Sequence, residues 1–384
     1  MNPERPRPED FLELVERAKR GRLKVYIGFA AGVGKTYRML EEAHALQKRG
    51  VDVVLAFIET HGRAETAALI EGLEVIPRRR TEYRGLTVEE MDLDTILARC
   101  PQVAVVDEVA HTNVPGSRNH RRYQDIFEIL DAGINVICAF NVQHLESLKD
   151  LVERATGVVI RETVPDTFLK QADQVVNLDL AVEDLLDRLR AGKIYDPQKI
   201  SVALANFFKE EHLSPLRELA LREVAESLDR SSAAQARPGE EPRKFGSTGR
   251  VMVCVSSFSP RATTLLRRGS RMAGRLSTDW YVVYVETPKE TSLRIDAEAQ
   301  RHLMTTIEKA HELGAEVVRL RARDPVTALI DFARAHNVGH IIVGRSQQPW
   351  WRQLFRHSFV NRMIKEAEGL DLHIVSFEEE ETRA

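Results

Sequence analysis

The segment from Gly28 to Thr36, GFAAGVGKT, combines a glycine-rich turn with a lysine and a hydroxyl residue. Backbone N–H groups of such a turn, placed at a helix N-terminus, bind phosphate oxygens. Lys35 would then reach the outer phosphates of a nucleotide, and Thr36 would place its hydroxyl on Mg²⁺. The pattern G-x-x-x-x-G-K-[ST] expects glycine where this chain has Phe29, but Gly28 stands beside it. The spacing predicts a phosphate-binding loop with ATP and Mg²⁺ as ligands.

Three further residues complete this loop. Gly32 and Gly34 are expected to supply backbone conformations that side chains disfavour, and to let the main chain approach a phosphate closely. Val33 lies between them and is predicted to contact the nucleotide through its amide. The alternative interpretation is a glycine-rich turn without a ligand.

A second motif, which ends in two acids, supports the prediction of a nucleotide site. The run VAVVDE, residues 103–108, is an apolar stretch that ends in two acids. An aspartate at such a strand end holds Mg²⁺ through water, which is the role expected for Asp107. Glu108 would polarise an attacking water or hydroxyl, so Glu108 and Lys35 are the catalytic candidates. Alone, two acids after an apolar run often mark only a strand that meets solvent.

The polar segment 110–125, AHTNVPGSRNHRRYQD, follows directly. It lies just past a strand end, where α/β folds bind ligands. Arg118, Arg121 or Arg122 would neutralise phosphate charge, and Arg118 is the binding candidate. The competing interpretation is a solvated loop.

The elements that must position these residues are strands and helices in alternation. Four apolar runs predict strands, namely LKVYIGFA, VDVVLAFIE, VAVVDE and NVICAFNV. Helical patterns lie between them, including one over 36–50, and a longer helical stretch without a strand runs from about 180 to 230. Continuous apolar strands in this alternation predict a parallel sheet covered on both faces. The first domain is therefore an α/β domain over 1–230 with a helical segment at its end.

Residues 231–248 are rich in small, charged and turn residues and predict a linker. Strand–helix alternation then resumes, which predicts a second α/β domain over 249–377 and a short tail at 378–384. The class is therefore α/β with two domains.

Composition narrows the function classes. Lysine plus arginine is 55 and aspartate plus glutamate is 58, for a net charge of −3, which gives no sign of a nucleic-acid-binding protein. The 3 cysteines are scattered, and the N-terminus has no apolar signal region, so a reducing, cytoplasmic location is expected. Direct membrane insertion is not expected, because no apolar run approaches about 18 residues.

Several long motifs together resemble the N-terminal domain of the KdpD potassium-sensing histidine kinases. The resemblance runs from about Pro3 to Leu228, and its most specific stretches are GRLKVYIGFAAGVGKTYRML, FIETHGRAETAALIEGLEVIPRRR, VVDEVAHTNVPGSRNHRRYQD and NVQHLESLKDLVERATGVVIRETVPD. The family's loop begins with the glycine matched by Gly28, so an unmatched position 29 is a family feature. The resemblance implies a P-loop NTPase-like fold that binds ATP.

The second domain resembles the universal stress protein module, which has an adenine-nucleotide-hydrolase-like fold. Its ATP-binding glycine pattern matches at Gly344, whereas Gln347 and His357 replace the later glycines. In some relatives this module binds cyclic di-AMP. Three residues stand where that resemblance implies the ligand's contacts, namely Ser257, Ser259 and Tyr284. Trp280 would either stack on a purine or pack in the core.

The function implied is an ATP-binding regulatory module of the Kdp potassium-responsive system. Full sensors continue into transmembrane helices and a histidine-kinase core, so histidine-kinase activity is not expected here. The implied partners are the membrane and kinase portion of a Kdp sensor or potassium-pump subunits. The implied ligand is a small nucleotide, and a dimer is compatible with the resemblance. The alternatives are an ATP-dependent serine kinase or slow ATPase that acts on a Kdp component, and a general universal stress protein.

Overall fold

The structure is a computed structural model that describes residues 19–83, 85–234, 249–257, 259, 261–276, 278–288, 296–344 and 359–376. The chain divides into two units. The first contains the chain up to Leu145 together with Leu151–Val164 and Phe168–Ser227, and the second contains Glu146–Asp150, Pro165–Thr167 and the chain from Leu228 onward.

The first unit is built around a parallel sheet. Its strands are β1 (Leu23–Gly28), β2 (Val53–Phe57), β3 (Glu74–Val75), β4 (Arg79–Tyr83), β5 (Leu86–Glu90), β6 (Val103–Val106), β7 (Asn135–Asn141) and β8 (Gln174–Leu178). Six of them form one sheet in the order β3-β2-β6-β7-β1-β8, with every pair parallel. The four strands predicted from apolar runs are β1, β2, β6 and β7, and the parallel α/β class is confirmed.

Helices follow most strands of the first sheet. They are α1 (Lys35–Lys48), α2 (Ala64–Ala68), α3 (Leu93–Arg99), α4 (Arg122–Asp131), α5 (Lys149–Thr156), α6 (Asp166–Lys170), α7 (Val182–Arg190), α8 (Pro197–Ala205) and α9 (Glu210–Ala234). The stretch from 180 to 230 is helical as expected. Helix α9 continues to Ala234, so the first residues of the predicted linker are helical, and 235–248 lie outside the described residues.

The order of the strands brings three strand ends together. Strand β7 lies between β1 and β6, and its last residue, Asn141, pairs in register with Gly28 at the end of β1. On its other side, Val106 at the end of β6 pairs with Cys138. Because parallel strands end at one edge of a sheet, the loops that follow β1, β6 and β7 meet there.

Strands β3, β4, β5 and β8 of the first unit were not predicted from the sequence. Strands β4 and β5 form an antiparallel hairpin in which Arg79 pairs with Glu90 and Arg80 with Glu89. Its residues are mostly exposed and charged, so the apolar pattern that reveals a buried strand is missing. Strand β8 lies at the edge of the sheet, and most of its residues are only partly buried. It therefore also lacks the pattern of a buried strand.

The second unit has its own parallel sheet. Its strands are β9 (Arg250–Val255), β10 (Trp280–Glu286), β11 (Glu316–Arg321), β12 (Val338–Gly344) and β13 (Asp371–Val375), and its helices are α10 (Ala262–Arg275), α11 (Ala297–Glu312), α12 (Pro325–Ala335) and α13 (Phe359–Glu366). The sheet order is β11-β10-β9-β12-β13. Alternate residues of β9 face two separate apolar cores, with Val253 in one and Met252 in the other. A sheet covered on both faces was expected.

Within the described ranges, no helix combines the length and the apolar composition that crossing a bilayer requires.

Candidate functional site

The glycine-rich loop, residues 29–34, joins the buried strand β1 to helix α1 and has the backbone that its sequence predicts. Gly32 has φ of 92° and Gly34, the N-cap of α1, has φ of 100°. Side chains rarely adopt these angles, so both positions favour glycine. The free N–H groups of the first helical turn therefore open onto the loop.

Gly28 and Phe29 explain how the loop departs from the usual pattern. A Cβ added to Gly28 would lie 2.6 Å from Cγ2 of Val33 and 3.4 Å from Cδ of Lys35. The close approach that requires glycine therefore falls at Gly28. Phe29 is 0% exposed and packs in the core, so its side chain anchors the loop to the sheet.

Lys35 is held by the strand ends around it. Its Nζ donates to the carbonyl oxygen of Ala30 at 2.9 Å and to Oδ1 of Asn141, at the end of β7. Burial lowers the pKa of Lys35 to about 8, against the opposing charges of Asp107 and Glu108. The ammonium is therefore desolvated and poised to bind an anion.

Thr36 and Asp107 meet across the site. The Thr36 hydroxyl donates to Oδ2 of Asp107 at 2.8 Å, although the two residues are 71 positions apart in the sequence. Both side chains are buried, and burial raises the pKa of Asp107, with the charge of Glu108 as the next cause. A hydroxyl beside a carboxylate is the oxygen donor set that Mg²⁺ prefers, so these residues fit that ion.

Glu108 and His61 form the acidic and basic pair of the site. Nε2 of His61 lies 3.3 Å from Oε1 of Glu108. This contact lowers the pKa of Glu108, and it raises the pKa of His61. Both residues have positive φ, 56° for Glu108 and 51° for His61, which is uncommon outside glycine and costs about 1–3 kcal/mol each.

A buried arginine supports the Asp107–Glu108 strand end from behind. Arg122 is 1% exposed, and its Nη2 lies 3.3 Å from Oε2 of Glu90. Its Nη1 donates to the carbonyl oxygen of Glu108 at 3.3 Å, and its guanidinium lies 3.8 Å from the ring centroid of Phe57. Arg122 therefore holds the backbone of the acidic pair.

His111 completes this support. Its Nε2 lies 3.0 Å from each carboxylate oxygen of Glu90. Oε1 of Glu90 also accepts a hydrogen bond from the amide of Val114 at 3.0 Å. Arg122 thus belongs to a buried network, and neither the solvated-loop interpretation nor direct phosphate binding describes it.

The other two arginines of this segment also have protein partners. Arg118 forms ion pairs with Asp94 at 3.3 Å and Glu128 at 2.6 Å, and Arg121 donates to Thr112. The structure does not bring Arg118 into contact with the glycine-rich loop among the described residues. Its nucleotide contact stays a prediction.

A segment that sequence analysis did not single out covers the loop. Residues 192–196, here called the covering segment, join α7 to α8. A Cβ added to Gly32 would lie 2.2 Å from Cδ1 of Ile194, whose side chain is fully buried. The carbonyl oxygen of Ile194 accepts a hydrogen bond from Nε of Arg63 at 3.2 Å. The sequence signals were the helical pattern around the segment, the run KIYDPQKIS within the stretch that resembles the KdpD family, and the run IETHGR that contains Arg63.

In the second unit, the predicted ligand residues lie on the neighbouring strands β10, β9 and β12 or shortly after them. Ser257 follows β9 and is buried, Ser259 donates its amide to the carbonyl of Ser256 at 3.3 Å, and Gly344 ends β12. Tyr284 is 3% exposed and packs in an apolar core.

Trp280 was expected either to stack on a purine or to pack in the core. It packs in that same core. Gln347 and His357 lie outside the described residues.

The fold and the site define a class: a P-loop-type α/β unit with a Thr–Asp pair beside its glycine-rich loop, followed by a second parallel α/β unit. The sequence matches the family described as "Osmosensitive K+ channel His kinase sensor domain" over residues 19–228, and the "Universal stress protein family" over 248–369. The chain belongs to the KdpD sensor family, as the sequence motifs indicated.

Three relatives that carry the name KdpD are similar to this chain over 93% or more of its length. Sensor protein KdpD of Escherichia coli K12 is 43% identical over 383 residues, which are 99% of this chain and 42% of that protein. A Synechocystis protein with the provisional name sensor protein KdpD is 42% identical over 358 residues, 93% of this chain and 95% of that protein. Sensor protein KdpD of Mycobacterium tuberculosis H37Rv is 43% identical over 361 residues, and the chain spans 41% of its length.

Solved structures were also compared. A universal stress protein from Archaeoglobus fulgidus covers 34% of this chain and 93% of its own, with 21% identity and a TM-score of 0.27. A structure of the universal stress protein from the same organism in complex with dAMP covers 34% and 98%, with 21% identity and a TM-score of 0.25.

Proposed function

We propose that the first unit binds Mg-ATP and acts as a cytoplasmic regulatory module of the Kdp potassium-responsive signalling system. The observation that carries this proposal is the Thr36–Asp107 contact beside Lys35, at the open N-terminus of α1. A buried ammonium, a helix N-terminus and an oxygen pair suited to Mg²⁺ are what a triphosphate and its metal require. Family membership supports the regulatory role.

The target follows from the same family membership. We propose that nucleotide occupancy is communicated to the membrane and kinase portion of a Kdp sensor, or to subunits of the potassium pump. The second unit would then provide a further surface for a small nucleotide or a protein. A dimer is compatible with this role.

Titration calorimetry of the intact protein tests ATP binding. Lys35→Ala removes the ammonium that faces the phosphates and is expected to weaken Mg-ATP binding by about 10-fold to 100-fold, since charge-assisted contacts to phosphate are strong. Lys48→Ala is the matched control, because Lys48 ends the same helix and is exposed.

The expected control result is an Mg-ATP affinity equal to that of the unsubstituted protein. Absence of binding by the folded, unsubstituted protein would overturn the proposal, and so would equal binding by Lys35→Ala.

A second candidate function is phosphoryl transfer, as a protein kinase or a slow ATPase. The observation that favours it is the pairing of Glu108 with His61, in which both residues adopt an uncommon backbone conformation at the strand-end edge. The contact keeps Glu108 charged and orients it, as a general base requires. Stored backbone strain is typical of catalytic positions.

Incubation with γ-labelled ATP separates binding from turnover. Glu108→Gln is expected to lower phosphate release or transfer by about 100-fold while ATP binding stays nearly unchanged, because general-base contributions are of that order. A protein that binds Mg-ATP but neither releases nor transfers label would exclude this candidate and leave the regulatory role intact.

A further inference from the structure

Arg63 interacts by charge with the acids of the site, and among the described residues its side chain forms one hydrogen bond. Its Nε donates to the carbonyl oxygen of Ile194 at 3.2 Å. The structure gives its two η nitrogens no partner within the described ranges, and the side chain is partly buried. A guanidinium stays charged in proteins, so these N–H groups are available to an anion.

The nearby carboxylates are already engaged. Asp107 accepts the Thr36 hydroxyl and the amide of Glu108, and Glu108 contacts His61. Both acids act on Arg63 by charge but form no hydrogen bond with it in the described structure. A partly desolvated cation without a carboxylate partner is unfavourable, unless an anion binds beside it.

A second arginine reinforces this pattern. Arg188 on α7 has a buried Nε with no partner among the described residues. Burial is the largest cause that lowers the pKa of Arg63, and the positive charge of Arg188 lowers it further. The charge of Arg63 in turn acts on Lys35. The positive charge of Arg63 therefore interacts unfavourably with those of Lys35 and Arg188, and a highly charged anion bound beside Arg63 would relieve this repulsion.

We propose that Arg63, with Arg188 beside it, binds the terminal phosphate of a nucleoside triphosphate whose other phosphates lie on the glycine-rich loop. This inference rests on the proposed function, which requires only that the loop bind a nucleotide. Arg63 then makes the site discriminate a triphosphate from a diphosphate. The planar guanidinium suits this task, because its paired N–H groups match two phosphate oxygens at once.

The covering segment positions Arg63 for this contact. Ile194 fixes Nε of Arg63 through its carbonyl oxygen, and its side chain packs on Gly32 of the loop. Because this carbonyl oxygen engages Nε, the η nitrogens are the groups of Arg63 that can bind an anion. The same residue thus joins the loop to the discriminating arginine.

Calorimetry with Mg-ATP and Mg-ADP on the intact protein tests the inference. Arg63→Gln is expected to weaken ATP binding by about tenfold or more and ADP binding by less than about threefold, since only ATP offers the terminal phosphate. Arg188→Gln should act in the same direction with a smaller effect. Arg190→Gln is the matched control, because it lies on the same helix but is exposed and paired with Asp187.

The possible outcomes separate this inference from the proposed function. Equal loss of ATP and ADP affinity in Arg63→Gln, or no loss of either, overturns the role of Arg63. If the unsubstituted protein binds ATP and ADP equally and Lys35→Ala loses both, the proposed function stands and the inference falls. If the folded protein binds neither nucleotide, both fall. Should Arg63→Gln fail to fold, Arg63→Lys, which keeps the charge but loses the planar fork, must lower the ATP-to-ADP affinity ratio.

Discussion

The two units use the same sheet architecture but surround their strand ends differently. In the first unit, Asn141 ends β7, Asp107 follows β6, and Lys35 begins α1 after the loop that follows β1. Their side chains lie in one connected site. In the second unit, Ser257 and Gly344 stand at strand ends, while Tyr284 is buried in the core. A parallel sheet therefore supplies an edge, and the residues after its strands decide whether chemistry can occur there.

Backbone strain differs in the same way. In the first unit, His61 and Glu108 combine positive φ with a mutual contact. In the second unit, Asn337 also has positive φ, but it only turns the chain into β12, and asparagine tolerates that conformation. A positive φ at two residues that also contact each other is therefore a stronger indication of a functional site than a positive φ at a simple turn.

Ion pairs show a third contrast. The Arg122–Glu90 pair of the first unit is buried, with side-chain exposures of 1% and 7%. The Arg362–Asp324 pair of the second unit, at 2.7 Å, is 33% and 41% exposed. Water screens the exposed pair, whereas the buried pair loses its compensation when one member is removed.

The largest effect is expected from breaking the buried pair. Arg122→Leu leaves the buried Glu90 with His111 and one amide as partners, and should lower the free energy of unfolding of the first unit by about 3 kcal/mol. Hydrogen exchange measured on peptides from β6 and β7 reports this unit separately.

Arg118→Leu is the control for this change, because Arg118 is exposed and its surface ion pairs should contribute less than about 1 kcal/mol. Equal destabilisation by the two substitutions would contradict the contrast between buried and exposed charges.

A glycine substitution sharpens the comparison at the loop. Gly32→Ala places a methyl group against Ile194 at a position with φ of 92°, and should weaken Mg-ATP binding by about tenfold through displacement of the loop. Gly50→Ala is the matched control, since Gly50 has φ of 80° but no neighbour within 4 Å of an added Cβ.

The control should lose about 1 kcal/mol of stability through backbone strain and keep its ATP affinity. If both variants bind ATP normally, the contact between the covering segment and the loop has no part in binding.

The smallest effect is expected in the second unit. Asp324 caps α12 by accepting the amide of Val326, so Asp324→Ala should lower the free energy of unfolding of this unit by about 1 kcal/mol. The fluorescence of Trp280, buried in this unit, follows its unfolding.

The effect should also depend on pH. The side-chain hydrogen bond from Arg362 is the largest cause that lowers the pKa of Asp324 to about 2. Because the folded-state pKa lies below the unfolded value of about 3.9, the stabilisation is present above about pH 4 and is lost as the pH falls toward 2. An unchanged difference between Asp324→Ala and the parent at pH 2 and pH 7 would refute this assignment.

The parts of the site that could be predicted from sequence are those with a local signal. The glycines, Lys35 and Thr36 lie within one loop, and Asp107 follows an apolar strand, so a pattern of a few residues identifies each. The strand–helix alternation that brings them together is equally local.

The parts that could not be predicted depend on contacts between distant segments. Arg63 and Ile194 are separated by 131 positions and Arg122 and Glu90 by 32, and no spacing rule links them. Arg122 also stood among other arginines in a polar segment, where composition favours exposure. Only its burial against Phe57 and Glu90 separates it from Arg118.

For this protein, the sequence by itself determined the two α/β units, the phosphate-binding pattern and the family, because periodicity and short motifs arise from local backbone and burial preferences. The tertiary structure alone decided which charges meet. Strand order placed β7 between β1 and β6, and the covering segment brought Arg63 to the loop. Electrostatic interactions depend on distance in space, and that distance is set by packing rather than by position along the chain.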